Sequence, residues 1–206
     1  MDEYEQIIST NKALYGALGA DYADGEVDLQ KVKDSGLWQE FLDGLNGKRV
    51  LDLGAGVGVA AKELADSGYD VIAADIASSM VAEIKKKAPR IKAIEMNALD
   101  VDRLPAEFDG IIAIHLIQHF NKAQLEELFK KIHGQLADGG EFLLVFTNTC
   151  YKKTGRQLES DDGTEYIWWH KWLLEDIAPL LADAKFKIVK FQVQKTNSPF
   201  IFICKK

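Results

Sequence analysis

The segment RVLDLGAGVGVAAKELADSGYDVIAADI, at positions 49–76, constrains the fold more than any other part of the chain. It starts with a short apolar run, continues through alternate glycines into a helical pattern, and ends with a second apolar run that finishes at an aspartate. A glycine loop between a strand and a helix, followed by a second strand, is typical of parallel α/β sheets. The segment therefore predicts an α/β fold.

Short apolar runs alternate with helical patterns over the range 49–147. A parallel sheet that is buried on both faces typically has apolar runs of five or six residues, separated by helices. Near the end of the chain, the runs FKIVKFQVQ and PFIFICKK are joined by KTNS, which is too short for a crossover helix. We therefore expect a mostly parallel sheet that ends in an antiparallel hairpin.

The clearest helical pattern covers residues 121–136, where five apolar side chains recur at helical spacing. Asn121 can cap the start of this helix together with Gln124, three residues further on. A second helix is expected to start at the serines of positions 78 and 79 and to stop before Pro89.

A chain of 206 residues is long enough for one substantial core and too short for two ordinary domains with linkers. We expect a single domain over 1–206 that has four parts. They are an N-terminal helical cap (1–48), the cofactor-binding core (49–147), an aromatic loop or lid (148–172), and a last helix with the antiparallel hairpin (173–206).

The charge and the residue usage exclude several classes of partner. The formal net charge of −7 repels phosphate backbones and anionic lipid, so we expect no nucleic-acid partner. No apolar run is long enough for a membrane helix, and the acidic start of the chain does not resemble a signal peptide, which predicts a cytoplasmic protein. Cys150 and Cys204 lack metal-binding spacing and are expected to be buried thiols.

The glycine loop is predicted to hold a nucleotide-like ligand. Ligands of open parallel sheets bind beyond the carboxyl ends of the strands, which is where Gly54, Gly56 and Gly58 follow the first strand. These glycines let the backbone approach a ligand closely. Asp75 ends the second strand and can accept hydrogen bonds from ribose hydroxyls.

Two nucleotide classes fit the loop poorly. Val59 occupies the position where a dinucleotide fingerprint needs glycine or alanine, and no Gly-Lys-Ser/Thr follows to form a phosphate-binding P-loop. The loop is therefore expected to approach a ligand that carries no phosphate. Asp52, just before it, is a carboxylate that could face a cationic ammonium group.

Five motifs in their usual order make the chain similar to the class I S-adenosylmethionine-dependent methyltransferases. They are VLDLGAGVG, the aspartate of VIAADI, MNALD, FDGIIAIHLIQHF and LADGGEFLLVF, and the closing helix and hairpin also resemble that family. The resemblance implies a single Rossmann-like three-layer sandwich with a seven-stranded sheet. The chain departs from the family pattern at Lys185, where glycine is usual, and at Asp138, where proline is usual.

The resemblance also implies a cofactor, S-adenosylmethionine, with S-adenosylhomocysteine as its product. Residues that match the motifs would contact the methionine part, the ribose, the adenine and the sulfonium in turn. In that order they are Asp52 with Gly54, Ala55 and Gly56; then Asp75; then Ile76, Met80, Asn97, Ala98 and Leu99; and finally His115.

Catalytic and acceptor-binding residues are expected around the same sheet edge. The unperturbed pKa of histidine suits a general base, so His115 and His119 are the candidates for that role. The alternative is that His115 only shapes the pocket and that His119 packs against or caps the next helix. Because LIQ separates them, and a zinc protease motif has a glutamate there, no metal is expected. Aromatic candidates for the lid over a small-molecule acceptor are Trp168, Trp169 and His170, with Tyr15 and Tyr22 in the cap; half-buried packing is the alternative.

Three functions remain open at this point. The first is methyl transfer to a small molecule by in-line displacement, in a monomer or homodimer with no membrane partner. The second is a non-catalytic, methyltransferase-like domain that binds the cofactor or a partner. The third is a nicotinamide-dependent oxidoreductase, which Val59 disfavours.

Overall fold

We describe the protein from a computed structural model, over residues 3–18, 24–105, 107–146, 155–158, 166–170, 172–193 and 199–206. Tyr22 and Cys150 lie outside these residues. The α-helices are α1 (Glu3–Leu18), α2 (Asp24–Asp34), α3 (Leu37–Gly44), α4 (Val59–Asp66), α5 (Ser78–Lys87), α6 (Lys122–Gln135) and α7 (Leu174–Asp183). The strands are β1 (Arg49–Leu53), β2 (Asp70–Asp75), β3 (Lys92–Glu95), β4 (Phe108–Ile114), β5 (Leu136–Phe146), β6 (Gly155–Leu158), β7 (Tyr166–Trp169), β8 (Lys187–Val193) and β9 (Phe200–Lys205).

The predicted sheet is confirmed. Seven strands form it in the order β3-β2-β1-β4-β5-β9-β8. The first five strands of this order, from β3 through β2, β1 and β4 to β5, pair in parallel with their neighbours. The strand β9 runs antiparallel to both β5 and β8. The order reverses between β1 and β4, and this reversal opens a crevice at the carboxyl ends of those two strands.

Helices cover both faces of the sheet, which explains why its strands are continuously apolar. In β1, Val50 packs on the face covered by α2 to α5, whereas Leu51 and Leu53 pack on the face covered by α6 and α7. The predicted cap of α6 is also present, because Asn121 and Gln124 exchange side-chain and backbone hydrogen bonds. Cys204 is a buried thiol, as expected.

The N-terminal cap has two parts with different positions. α2 and α3, which are separated by Ser35 and Gly36, pack against the sheet. α1 lies elsewhere, because it contacts α5 and the strand β7. None of the described helices combines the length and the apolar character that crossing a membrane requires.

The aromatic segment at 148–172 contains a feature that the sequence analysis did not predict. Its two strands β6 and β7 pair antiparallel as a separate two-stranded sheet. β7 carries the aromatic run YIWW, whose β propensity is high but whose four residues are too few to show a period. The predicted lid is thus at least partly a hairpin.

Two helices end in the same backbone motif with different residues. After α4, Gly68 has φ +85° and donates its N–H to Ala65, while the next N–H bonds to Leu64. After α7, Lys185 has φ +70° and makes the equivalent bond to Ala182. This left-handed position favours glycine, and the departure from the family pattern noted above places lysine in it.

Exchanging residues at these two positions should have opposite effects on stability. Lys185→Gly is expected to raise the free energy of unfolding by about 1 kcal/mol, because it removes the cost of a left-handed side-chain residue. Gly68→Ala is the matched control and should lower it by a similar amount, since its Cβ would meet nothing within 4 Å and only the backbone is strained. Urea unfolding measures both values. If both variants changed the free energy of unfolding in the same direction, this account would be contradicted.

Candidate active site

A cavity lies at the carboxyl ends of β1, β2 and β4, and α1 covers part of it. Most of the residues predicted to bind a cofactor or an acceptor line this cavity. Those that do are Tyr15, Asp52, Gly54, Ala55, Gly56, Asp75, Ile76, Met80, Asn97, Ala98, His115 and His119.

The glycine loop is held against the end of β2 by backbone hydrogen bonds. The N–H groups of Gly54 and Ala55 both donate to the carbonyl of Ala74, at 2.8 and 3.0 Å. Gly56 has φ +52°, and a Cβ built on it would meet nothing within 4 Å. An open, left-handed backbone in the wall of a cavity forms a cradle that a ligand can approach more closely than a side chain would allow.

Asp75 anchors the loop. One carboxylate oxygen accepts the Gly56 N–H at 2.8 Å and the other accepts the Ala77 N–H at 2.9 Å. Burial raises the pKa of this carboxyl, and the backbone N–H groups of Ala77, Gly56 and Ile76 act in the opposite direction. Each carboxylate oxygen can accept more than one hydrogen bond, so both can still receive hydroxyl groups from a ligand.

Asp52 is a buried carboxylate in the same wall. It is 2% exposed, and its Oδ2 atom has no hydrogen-bond partner in the described part of the chain. Burial raises its pKa to about 7; the backbone N–H of Ala61 lowers it in part, and the negative charge of Asp75 raises it further. A buried, unpaired carboxylate is costly to ionise, and a cationic group beside it would remove that cost.

The wall beyond Asp75 is mostly apolar. Ile76, Met80 and Ala98 line it together with Asn97, whose Oδ1 accepts the N–H of Leu99 at 3.1 Å. Leu99, predicted to flank the adenine, is not among the lining residues and packs against the hydrophobic core. The chain itself thus uses one lone pair of the Asn97 oxygen, and the other lone pair and the amide N–H groups remain for a ligand.

The two histidines occupy different environments. His115 follows β4 with φ +54°, donates its N–H to Val145 at 2.8 Å, and has the Gln118 amide nitrogen 3.1 Å from its Nδ1. A non-glycine residue in this conformation is strained, and such strain is concentrated at functional sites.

His119 connects the sheet to α1. Its Nδ1 lies 3.1 Å from the side-chain nitrogen of Asn11, and its Nε2 lies 3.3 Å from the hydroxyl of Tyr15. The Tyr15 ring meets the imidazole edge to face, with centroids 5.5 Å apart. These contacts hold α1 over the cavity.

Beyond Tyr15, the contribution of α1 to the cavity lining was not predicted from sequence. Ile7, Ile8 and Asn11 also line the cavity. With Tyr15 they recur at about one helical turn, so their common face could have been recognised, but its direction depends on how α1 packs. Met96, just before Asn97, was missed as well.

Of the remaining lid candidates, His170 lies near the site and is not among its lining residues. His170 donates its backbone N–H to the carbonyl of Gln118 at 2.6 Å, its ring packs on Trp172 at 4.1 Å, and burial lowers its pKa. The side chains of Trp168 and Trp169, on β7, are outside the described part of the chain, as is Tyr22. No three metal-ligating side chains come together among the residues described.

The raised pKa of Asp52 predicts a pH-dependent effect of Asp52→Asn on stability. In the folded chain the carboxyl keeps a proton up to about pH 7, against an ordinary pKa of 3.8. The stability that this contributes is fully present below about pH 4 and is lost as the pH rises through 7. Asparagine has no proton to lose, so the variant should gain stability over the wild type as the pH rises. Urea unfolding of the ligand-free proteins between about pH 4 and 8 measures this, and a constant difference would contradict it.

Comparison with known proteins finds similarity to methyltransferases. Residues 50–140 match the family model of a methyltransferase domain. Demethylmenaquinone methyltransferase from Beutenbergia cavernae is 42% identical over 82 residues, which are 36% of this chain and 33% of that protein. The chain spans from about a third to about half of the first curated relatives that it matches.

Solved structures show the same fold across nearly the whole chain. DhpI in complex with SAH has a TM-score of 0.78 at 18% identity, covering 98% of this chain and 97% of that one. The 1,6-didemethyltoxoflavin-N1-methyltransferase of Burkholderia thailandensis, with bound 1,6-didemethyltoxoflavin and S-adenosylhomocysteine, has a TM-score of 0.73 at 18% identity, covering 100% and 91%.

The matched domain covers the strand that precedes the glycine loop, the loop itself, Asp75 and both histidines. The sheet order and the antiparallel end agree with the same assignment. In its matched domain and in its fold, the chain is similar to the class I S-adenosylmethionine-dependent methyltransferases.

Proposed function

We propose that this protein binds S-adenosylmethionine in the cavity and transfers its methyl group to a small-molecule acceptor, with S-adenosylhomocysteine as the product. The observation that carries the proposal is the joint arrangement of the Gly56 cradle, the anchored carboxylate of Asp75 and the unpaired carboxylate of Asp52. Together they offer a close backbone approach, acceptors for two hydroxyls and an acceptor for a cation.

The proposed cofactor has groups that match this arrangement. Asp75 would accept hydrogen bonds from the ribose hydroxyls, and Asp52 would face the ammonium group of the methionine part. Ile76 and Met80 would cover the adenine ring, and the Asn97 side chain would meet its edge. When bound, the cofactor supplies an electrophilic methyl group on a sulfonium.

The contribution of the chain to the reaction is mainly positional. Correct alignment of two reacting groups can contribute up to about 7 to 11 kcal/mol to a bimolecular step. α1 covers part of the cavity, and its apolar side chains Ile7 and Ile8 would exclude water from the region next to the two histidines. The acceptor would thus enter a site whose walls leave it few orientations.

His119 is the residue that we propose as the general base. A hydroxyl or ammonium acceptor must lose a proton, and Nε2 of His119 can take it directly or through the Tyr15 hydroxyl 3.3 Å away. This role requires the Asn11 amide to turn over, because only with its oxygen at Nδ1 does it accept the Nδ1–H and leave Nε2 the lone pair that takes the proton.

A small acceptor is supported by the cavity and by the family relatives. The lining of the cavity, part of which α1 covers, is mostly apolar, which suits a small organic acceptor better than a charged polymer. The net charge of −7 disfavours nucleic acid. A similar protein is named for demethylmenaquinone, and another carries 1,6-didemethyltoxoflavin in its structure.

Turnover with a metabolite extract tests the proposed function. Purified protein is incubated with S-adenosylmethionine, with and without a fractionated extract, and mass spectrometry follows S-adenosylhomocysteine and any product one methyl group heavier. Both should form only when the extract is present. Cofactor binding without either product, across all fractions, would instead favour the non-catalytic domain considered above.

Substitutions at His119 and Tyr15 should separate catalysis from cofactor binding. His119→Gln is expected to lower kcat by about 10²-fold to 10⁴-fold, the usual contribution of a general base, and to leave S-adenosylhomocysteine affinity unchanged. Tyr15→Phe should have a smaller effect of the same kind. His133→Gln is the matched control, because His133 lies on α6 and packs against Phe186. Full activity of His119→Gln would disprove the base assignment.

A further inference from the structure

Gln118 is a buried polar residue that neither the fold nor the proposed cofactor site explains. It belongs to the short 3-10 segment Ile117–His119 and is 2% exposed. Its amide nitrogen lies 3.1 Å from Nδ1 of His115. Its amide oxygen is buried and has no hydrogen-bond partner among the described residues.

The burial of this amide determines which way it faces. With the nitrogen toward His115, one N–H is bonded and one carbonyl oxygen lacks a partner. With the amide turned over, the oxygen would accept from His115, but two N–H donors would occupy the position where the structure offers no partner. For the amide alone, buried donors without partners are rarer and costlier than buried carbonyl oxygens without partners, which favours the first orientation. This orientation puts the ring proton on Nε2, a buried atom of a residue that lines the cavity, where a ligand can accept it.

We infer that Gln118 is a positioning residue that holds His115 as a neutral imidazole with its proton on Nε2. Nδ1 must carry the lone pair that accepts the Gln118 N–H. In this form His115 presents an N–H donor at Nε2 and is not a general base there. The catalytic meaning of this inference rests on the proposed function: His115 would orient an acceptor atom by donating to it, and His119 would take the proton.

The backbone on both sides of this contact is fixed. His115 donates its N–H to Val145, and the Gln118 carbonyl accepts the N–H of His170 at 2.6 Å. The Nε1–H of Trp172 donates to the neighbouring carbonyl of Ile117 at 3.0 Å. The segment that carries Gln118 is therefore held by β5 on one side and by the aromatic segment on the other.

His115 shares the cavity with other titratable groups. Asp52, Asp75, Tyr15 and His119 line the same cavity as His115. A carboxylate nearby favours a charged imidazolium. The Gln118 N–H opposes that charge, because protonation would put an N–H on Nδ1 directly against the amide N–H.

Nitrogen NMR of the ligand-free protein tests the inference directly. Two-bond ¹H–¹⁵N spectra distinguish the Nδ1–H form, the Nε2–H form and the charged ring of a histidine. The chain has four histidines, and His115→Gln assigns the signals of His115. In the wild type we expect the Nε2–H form near neutral pH.

Gln118→Glu should reverse this state. A carboxylate accepts Nδ1–H, so we expect His115 to move to the Nδ1–H form or to the charged form. Gln135→Glu is the matched control, since Gln135 is also buried with an unpartnered oxygen but lies at the end of α6 outside the cavity lining. It should leave His115 unchanged.

The outcomes separate this inference from the proposed function. An Nδ1–H signal in the wild type, or a His115 state that Gln118→Glu leaves unchanged in a folded protein, overturns the inference. If Gln118→Glu does not fold, Gln118→Leu replaces it and should give a mixture of both neutral forms. Since no cofactor or acceptor is needed, the NMR result stands whether or not methyl transfer is found. With an acceptor in hand, Gln118→Glu should also shift the pH profile of kcat while S-adenosylhomocysteine affinity stays the same.

Discussion

The hydrogen bond from the Gly56 backbone N–H to the Asp75 carboxylate is the contact on which the site depends. It joins the glycine loop after β1 to the end of β2 at 2.8 Å. A charge-assisted bond of this kind is shorter and stronger than a neutral one, and the second oxygen of Asp75 is fixed by Ala77. The loop is thereby held open toward the cavity before any ligand arrives, so a ligand does not have to order it.

This preorganisation has a cost in the ligand-free protein. In one wall Asp52 is buried and Asp75 is half-buried, and desolvation raises the pKa of each. Backbone hydrogen bonds recover this cost only in part, since Oδ2 of Asp52 has no partner among the described residues. A site that stores this cost is expected to recover it on binding a cation beside Asp52, which is why the charge of the proposed cofactor matters as much as its shape.

The other side of the cavity is built by residues that are far apart in sequence. α1 is joined to His119 through Asn11 and Tyr15, and the aromatic segment is joined to Gln118 through His170. The 3-10 segment Ile117–His119 is thus the meeting point of the cap, the sheet and the lid region. A movement of α1 or of the aromatic segment would therefore change the surroundings of both histidines at once.

The parts of the molecule that were predictable from sequence are those with local physical causes. The buried strands, the Asn121 cap and the glycine loop each depend on residues within one or two elements. The position of α1 was not predictable, because its face toward the cavity is determined by tertiary contacts. The β6–β7 hairpin was missed because its strands are only four residues long, and the left-handed Lys185 because its residue type is unusual for that conformation.

Calorimetric titration with S-adenosylhomocysteine tests the central claim most directly. The wild type should bind it at one site, and Asp75→Ala should lose at least about tenfold in affinity, since it removes both the ribose acceptors and the anchor of the loop. Asp70→Ala, at the opposite end of the same strand, is the matched control and should bind as the wild type does. Absence of binding by the wild type, or equal binding by Asp75→Ala, would contradict the account.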